Sequence, residues 1–172
     1  MIIKNVVIVG HVRSGKGSIA RHLSKFMSYR FYCLERYIEN NIGASTEWIK
    51  EMEGADGLQG RGTHLLTELL QRDHIVIAIC NDINISRTFH SEFMKNSYVV
   101  YVGSRDKTKV TRYVLNRTED TRSSLDKINE FFTHKAELYI SMADICVDPY
   151  QHSIKDSVKK ITDDLALNHD TI

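Results

Sequence analysis

The sequence predicts a three-layer α/β/α fold in which helices cover both faces of a five-stranded parallel sheet. Three observations support this prediction. Short apolar segments alternate with segments of helical periodicity, as in α/β proteins. Residues His74–Ile79 are almost wholly apolar, which is typical of a parallel strand buried on both faces. The first apolar run ends at a glycine, and a helical pattern follows directly after a short turn. A length of 172 residues predicts a single domain, residues 1–172.

The first half of the chain is predicted to contain two strands. Lys4–Val9 and Arg30–Cys33 are rich in the β-branched and aromatic residues that favour strands. Between them, apolar residues at helical spacing, with Phe26 on the apolar face, predict the first helix. A second helix is predicted to end near Gly43, since glycine readily adopts the conformation that ends a helix.

The next segment predicts two helices separated by a glycine. Ser45 is in position to cap the first of them, whose buried side is expected to include Trp48 and Met52. Gly54 is expected to break this helix, and Asp56 can cap the one that follows.

The second half continues the alternation of strands and helices. His74–Ile79, Tyr98–Val102 and Ile145–Val147 are the predicted third, fourth and fifth strands. One long helix is expected over Leu125–Met142, before the fifth strand, and a last helix follows that strand. The tail from His169 is expected to be loose.

Composition restricts the kinds of partner. The net charge is +1 with 26% charged residues, so we expect no nucleic-acid polymer and no membrane surface as partner. Met1–Lys4 leads directly into a strand, so no signal peptide is expected. The three cysteines are far apart in sequence, which favours free thiols in a reducing, cytoplasmic compartment. A small-molecule substrate and a monomer or homodimer are the expectation.

The most informative segment is the turn after the first strand. Its spacing G-x-x-x-x-G-K, from Gly10 to Lys16, matches a loop whose backbone N–H groups surround a polyphosphate. The positive end of the following helix dipole and the Lys16 ammonium add to this anion site. The segment therefore predicts nucleotide binding, with ATP as the nucleotide. The predicted phosphate-binding residues are Gly10, Arg13, Ser14, Gly15, Lys16, Gly17 and Ser18.

One position in this loop departs from the common motif. Gly17 stands where most such loops carry the Ser or Thr that binds Mg²⁺, and Ser18 follows one place later. The G-K-G-S form resembles adenylate kinases and related nucleoside-monophosphate kinases, and Arg13 before Ser14-Gly15 resembles some phage deoxynucleotide kinases. That resemblance implies a Mg²⁺ ion held largely through water and through acidic side chains elsewhere.

The whole chain resembles the nucleoside-monophosphate-kinase group, with the core shared by adenylate and shikimate kinases. Glu53–Gly57 followed by Arg61 is similar to the E-G-E segment of shikimate kinases. Arg112 and Arg117, with the polar stretch after them, resemble the lid region of both groups. The resemblance implies a P-loop kinase core with a short lid at about residues 117–124 and acceptor-side helices at about residues 34–72.

Departures from shikimate kinases bear on the acceptor. Their aspartate pair after strand two corresponds to Cys33-Leu34-Glu35, and their glycine run after strand three corresponds to Cys80-Asn81-Asp82. Gln59 occupies the position of one of their substrate-binding arginines, and Lys135 stands near the position of another of these arginines. A carboxylate is best held by a bidentate arginine, which Gln59 does not replace. The sequence therefore favours an ATP-dependent transfer to a (deoxy)nucleoside monophosphate. A shikimate-kinase-like enzyme on another hydroxylated metabolite and a catalytically weak nucleotide-binding regulator are the alternatives.

Phosphoryl transfer requires positioning groups and positive charge, which gives each candidate side chain a role. Lys16, Arg117, Arg122 and Asp82 are the catalytic candidates, Ser18 and Asp82 the Mg²⁺ ligands, and Arg112 a residue that flanks the base. On the acceptor side the candidates are Glu35, Arg36, Gln59, Arg61, Arg87 and Lys135. Each has a structural alternative: Asp82 can form a turn after its strand, Glu35 can complement a helix dipole, and each arginine can be a solvated surface charge.

Overall fold

The computed structural model describes residues 2–168 and 170–171 of the chain. Strands and helices alternate along it. In chain order the elements are β1 (Ile2–Ile3), β2 (Asn5–Gly10), α1 (Lys16–Met27), β3 (Arg30–Cys33), α2 (Leu34–Ile42), α3 (Thr46–Leu70), β4 (Ile75–Ala78), α4 (Arg87–Phe93), β5 (Ser97–Val102), α5 (Lys107–Leu115), α6 (Thr121–His134), α7 (Ala136–Met142), β6 (Ile145–Val147), α8 (Ile154–Asn168) and β7 (Asp170–Thr171).

The main sheet has five parallel strands in the order β3-β4-β2-β5-β6, as the sequence predicts. The central strand β2 pairs Gly10 with Val102 of β5 and Ile8 with Ala78 of β4. Because the strands are parallel, the turns after β2, β3 and β4 all leave from the same edge of the sheet. This edge brings together the segments that the sequence predicts to be functional.

A small second sheet corrects the prediction for the tail. β1 and β7 form a parallel pair of two residues each, Ile2–Ile3 with Asp170–Thr171. The prediction of a loose tail from His169 is therefore wrong for Asp170 and Thr171. His169 itself and Ile172 lie outside the described residues.

Apolar side chains cover both faces of the main sheet, and each face packs against its own helices. On one face Val7, Ile77 and Tyr101 pack with α2, α3 and α7. On the other face Ile8 and Val100 pack with α1 and α8. Alternate residues of one strand thus supply the two layers of core, which is why the strands carry continuous apolar runs.

Three residues expected on buried helix faces are exposed. In α1 the buried stripe runs through Ile19, Leu23 and their neighbours, and Phe26 lies beside it, 69% exposed. Trp48 and Met52, four residues apart on α3, are 49% and 66% exposed. The first part of α3 is short and packs through Thr46 and Ile49, so its opposite side stays in solvent.

One predicted helix is divided in the structure, and two predicted helix boundaries are confirmed. The predicted helix over residues 125–142 is two helices, α6 and α7, which meet at Lys135. The predicted break at Gly54 is confirmed, since its φ of 76° and ψ of 176° are not helical and divide α3 into two segments. Ser45 caps α3 as expected, its hydroxyl accepting from the Trp48 N–H.

The segment between α5 and α6 is shorter than the predicted lid of residues 117–124. Only residues 116–120 are outside helices, and Asp120 caps α6, which already includes residues 121–124. Across the described part of the chain, none of the helices has the length and apolar character needed to cross a membrane.

Candidate functional site

The turn between β2 and α1 forms an open loop lined by backbone groups. Arg13 and Gly15 adopt left-handed conformations, with φ of 57° and 82°. Gly15 is the N-cap of α1 and has no side chain with which to cap it, so the first-turn N–H groups of the helix face the loop. The Ser14 hydroxyl is buried and has no hydrogen-bond partner among the described residues. Free N–H donors and an unsatisfied hydroxyl at a helix N-terminus suit a phosphate chain.

Lys16 extends its ammonium group across this loop. Its Nζ donates to the His11 carbonyl at 3.2 Å and to Asn81 Oδ1 at 3.2 Å, so it lies between the turns after β2 and β4. Burial lowers the pKa of Lys16 to about 8, while nearby acidic groups, including Glu35, partly oppose the shift. A pKa near 8 leaves most of the Lys16 ammonium charged at pH 7, as binding of a phosphate anion requires.

His11 connects the phosphate loop with the segment after β6. Its Nδ1–H donates to the Val12 carbonyl at 2.6 Å, and its Nε2 accepts from the Tyr150 hydroxyl. Because a carbonyl only accepts, Nδ1 carries a proton; burial lowers the pKa of His11 to about 4, so the ring is neutral at pH 7 and Nε2 is the acceptor. Tyr150 in turn packs on Tyr113 of α5, with ring centroids 4.1 Å apart. The imidazole therefore holds the loop, the segment after β6 and α5 together.

Burial of His11 predicts that acid destabilises the protein. The side chain is fully buried, and burial lowers its pKa from 6.5 to about 4. The unfolded chain then binds more protons between these two pH values, so stability falls as the pH drops through this window. The shift corresponds to about 3 kcal/mol of unfolding free energy lost between pH 7 and pH 4. Urea unfolding at several pH values measures this loss.

The control compares two histidine variants. His11→Asn lacks the titrating group and is expected to lose about 3 kcal/mol less than the wild type on acidification. His134→Asn, at an exposed position of α6, is expected to follow the wild-type curve. Identical pH dependence in all three proteins would contradict the assignment of the acid sensitivity to His11.

Arg117 contacts the loop and is itself solvent-exposed, as is a further pair of candidate arginines. Arg117 Cζ lies 3.8 Å from the centre of the Tyr113 ring, and the Arg117 carbonyl accepts from Arg13 Nη1 at 3.1 Å. The exposed pair are Arg112 in α5 and Arg122 in the first turn of α6. Arg13 and Arg117 are thus joined directly, and the roles predicted for Arg112 and Arg122 stay predictions.

Two carboxylates, Glu35 after β3 and Asp82 after β4, influence each other electrostatically, and Glu35 also interacts with Lys16. Glu35 begins α2, and burial together with the charges of Glu39, Glu47 and Asp82 raises its pKa. Asp82 follows β4 and forms an ion pair with a lysine of α3. The described residues contain no group of three or more His, Cys, Asp or Glu side chains that could hold a metal. Mg²⁺ commonly uses one or two carboxylates together with substrate phosphates, so this sparse donor set fits it only with a nucleotide bound.

The five other predicted acceptor-side residues differ in their contacts. Three of them contact other parts of the protein: Gln59 bonds the backbone of Asn84, Arg61 bonds both oxygens of Glu53 at 2.7 Å, and Arg87 bonds Ser141. Arg36 is exposed. Lys135, at the junction of α6 and α7, lies at the turn after β4 and donates from Nζ to the Asn81 carbonyl at 2.5 Å. Lys135 and Lys16 therefore bond the same residue, Asn81.

Sequence reasoning missed two side chains near the site. His11 follows Gly10 in the loop, and no spacing marked it as a buried, hydrogen-bonded ring. Lys50 lies on α3 and pairs with Asp82 at 3.3 Å across 32 residues of sequence. A single lysine on a helix resembles a surface charge, so only tertiary contacts could identify it.

The known proteins that this chain resembles include shikimate kinases. The family model described as shikimate kinase matches residues 13–166. A shikimate kinase from Shewanella loihica is 29% identical, with 94% of this chain and 96% of that protein covered. Another from Hahella chejuensis is 30% identical, with 92% and 84% covered.

Solved structures show the same fold. Shikimate kinase from Acinetobacter baumannii in complex with shikimate has a TM-score of 0.80 and 25% identity, covering 96% of this chain and 94% of that chain. Shikimate kinase from Aquifex aeolicus also has a TM-score of 0.80, at 21% identity, with 95% and 97% covered. Both confirm the P-loop kinase fold predicted from the sequence. The chain belongs to the shikimate kinase family and is an ATP-dependent small-molecule kinase.

Proposed function

We propose that the chain transfers the γ-phosphate of ATP to a hydroxyl group of shikimate or of a closely similar hydroxylated carboxylic acid. The observation that carries this proposal is the match of the shikimate kinase family model to residues 13–166. This match supports the shikimate-type alternative over the nucleoside monophosphate that the sequence favours. The sequence favours the nucleotide because of Gln59 and the departures at residues 33–35 and 80–82, and a family match over nearly the whole chain outweighs these few positions.

The phosphate loop supports the nucleotide half of the reaction. The N–H groups at the start of α1, the buried Ser14 hydroxyl and the Lys16 ammonium would bind the phosphates. Arg117, in the segment of residues 116–120, and Arg122, in the first turn of α6, would add positive charge and exclude water when the nucleotide is present. Arg112 would flank the base of the nucleotide.

The acceptor half involves Glu35 and the helices of residues 34–72. In the transfer, the acceptor oxygen forms a bond to the γ-phosphorus while the bond from that phosphorus to the β–γ bridging oxygen breaks, and ADP leaves. The hydroxyl proton passes to Glu35, whose raised pKa makes its carboxylate a stronger base than a solvated glutamate. Mg²⁺ would offset the negative charge of the phosphates. Its ligands would be the phosphates, water, and Asp82 or the Ser18 hydroxyl.

A product assay tests this proposal. With ATP and Mg²⁺, the protein is expected to release ADP when shikimate is added and to yield a phosphorylated shikimate detectable by mass spectrometry. dAMP, dGMP and dTMP are expected to give no ADP above background. ADP release with a deoxynucleotide alone would restore the acceptor favoured by the sequence.

The same assay separates an enzyme from a binding protein. Tight ATP binding in calorimetry with no acceptor-dependent ADP release would favour the nucleotide-binding regulator. Gly17, in place of the usual hydroxyl residue, and Cys33, where shikimate kinases carry an aspartate, are the features of the chain that favour that alternative.

A further inference from the structure

Three lysines from different parts of the chain meet at the turn after β4. Lys16 of α1 donates to Asn81 Oδ1 at 3.2 Å, and Lys135 donates to the Asn81 carbonyl at 2.5 Å. Lys50 of α3 lies 3.3 Å from Asp82 Oδ1. Three ammonium groups thus surround two consecutive residues at the edge of the sheet where the phosphate loop lies.

Side chains of α3 and α7 hydrogen-bond the backbone of the turn that these lysines contact. The Gln59 side chain accepts from the Asn84 N–H at 2.8 Å and donates to the Asn84 carbonyl at 3.1 Å. The Tyr139 hydroxyl accepts from the Ile85 N–H and donates to the Ile83 carbonyl, each at 3.3 Å. Because the turn is anchored at several backbone groups, Asn81 and Asp82 can hold the lysine side chains in defined positions.

The ammonium groups at this turn interact with one another and with nearby acidic groups. Burial lowers the pKa of Lys135, and the charge of Lys50 lowers it further, while Glu130 and Asp82 oppose the shift. The pKa of Lys16 is lowered in the same way, by burial and, to a smaller extent, by Lys135. The ammonium groups are therefore close enough to repel one another, and a bound anion would relieve this repulsion.

This inference rests on the proposed function and identifies how the acceptor is recognised. We propose that Lys50 and Lys135 together bind the carboxylate of the acceptor, so that Lys50 is a specificity-determining residue. Two lysines from opposite sides of the turn thereby replace a single bidentate arginine. Gln59 is not free for this role, because its amide is bonded to the turn. The Arg61 guanidinium makes two bonds of 2.7 Å to Glu53, whereas Lys50 makes one contact of 3.3 Å to Asp82.

Lys50 is free to exchange partners. Its side chain is 53% exposed and that of Asp82 is 46% exposed. Exposed ion pairs of this kind contribute little to stability, so the ammonium can leave Asp82 for a substrate carboxylate at small cost. Lys16 remains available to the nucleotide phosphates, and the two remaining lysines form a site for one carboxylate.

The test compares shikimate with its uncharged methyl ester in three variants. Lys50→Met is expected to raise the KM for shikimate roughly 10-fold or more, since a charge-assisted contact is lost. The KM for ATP and the KM for the methyl ester are expected to stay within the error of the wild-type values. Lys50→Arg is expected to restore most of the affinity for shikimate, and Lys95→Met, at an exposed position after α4, is expected to behave as wild type.

Two results would overturn the proposal. One is an unchanged KM for shikimate in Lys50→Met, and the other is an equal rise of KM for the acid and for its ester. If the wild type phosphorylates no shikimate, the proposed function fails, and binding then decides the inference. The single tryptophan, Trp48, lies two residues from Lys50, so its fluorescence can report titrations with shikimate, quinate and gluconate. Binding of any of these acids that weakens in Lys50→Met supports the two-lysine site, whereas binding of none, or binding unaffected by Lys50→Met, excludes it.

Discussion

Lys16→Ala is expected to lower kcat for acceptor-dependent ADP release by roughly 100- to 1,000-fold, the loss typical of removing one preorganised donor to a developing charge. The ammonium lies between the His11 carbonyl and Asn81 Oδ1, and no other described side chain is positioned to replace it at both groups. Because the charge of the transferred group is redistributed in the transition state, loss of this cation affects the chemical step as well as binding. Initial rates at saturating ATP and acceptor measure the change.

A second lysine of the same helix provides the control. Lys25 is exposed in the last turn of α1, so Lys25→Ala is expected to leave kcat unchanged. Calorimetry with ATP checks the binding step separately, and Lys16→Ala is expected to bind ATP more weakly than Lys25→Ala. Wild-type rates and wild-type ATP binding in Lys16→Ala would refute the whole interpretation of the loop.

Gly10→Ala is expected to destabilise the protein by about 3 kcal/mol, at the upper end of the range for overpacked cores. A Cβ at Gly10 would lie 2.2 Å from the Val102 carbonyl oxygen and 3.0 Å from Ser14 Oγ. The carbonyl belongs to β5, which pairs with β2 at this position, so the backbone of the central strands would have to separate. Urea unfolding followed by circular dichroism measures the loss.

Gly60→Ala is the matched control, at a position with room for a Cβ. Gly60 lies within α3, and a Cβ there would meet no heavy atom within 4 Å. Alanine is therefore expected to raise stability by about 0.5–1 kcal/mol, since it loses less backbone entropy than glycine on folding. A loss of similar size in both variants would show that the close approach of β2 to β5 does not set the requirement at Gly10.

Local patterns were enough to predict the phosphate side of the site. The strand, the glycine-bounded turn and the helix from Gly10 to Ser18 are contiguous, so their spacing alone constrains the backbone. The main sheet was equally predictable, because its central strands β2, β4 and β5 are largely apolar and buried on both faces. Helix faces were less so: Trp48 and Met52 show apolar periodicity, but the short segment before Gly54 buries little besides Thr46 and Ile49.

The acceptor side was not predictable in the same way. Gln59, Arg61 and Arg87 carry suitable chemistry. The bonds of Gln59 to Asn84 and of Arg87 to Ser141 depend on how separate elements pack, and the bond of Arg61 to Glu53 spans the break of α3 at Gly54. These partners lie between 8 and 54 residues away in sequence. No periodicity records contacts of that kind, and the sequence therefore preferred a nucleotide acceptor where the family match indicates a shikimate-type one.

By itself the sequence determined the fold class, the phosphate loop with Lys16, and the assignment to the small P-loop kinases, because these depend on neighbouring residues and on regular spacing. Only the tertiary structure decided which charges meet at the turn after β4. There Lys50 and Lys135, 85 residues apart by their numbers, approach Asp82 and Asn81. The physical reason is that the path of each charged side chain depends on the packing of the element that carries it, and that packing is a property of the whole core.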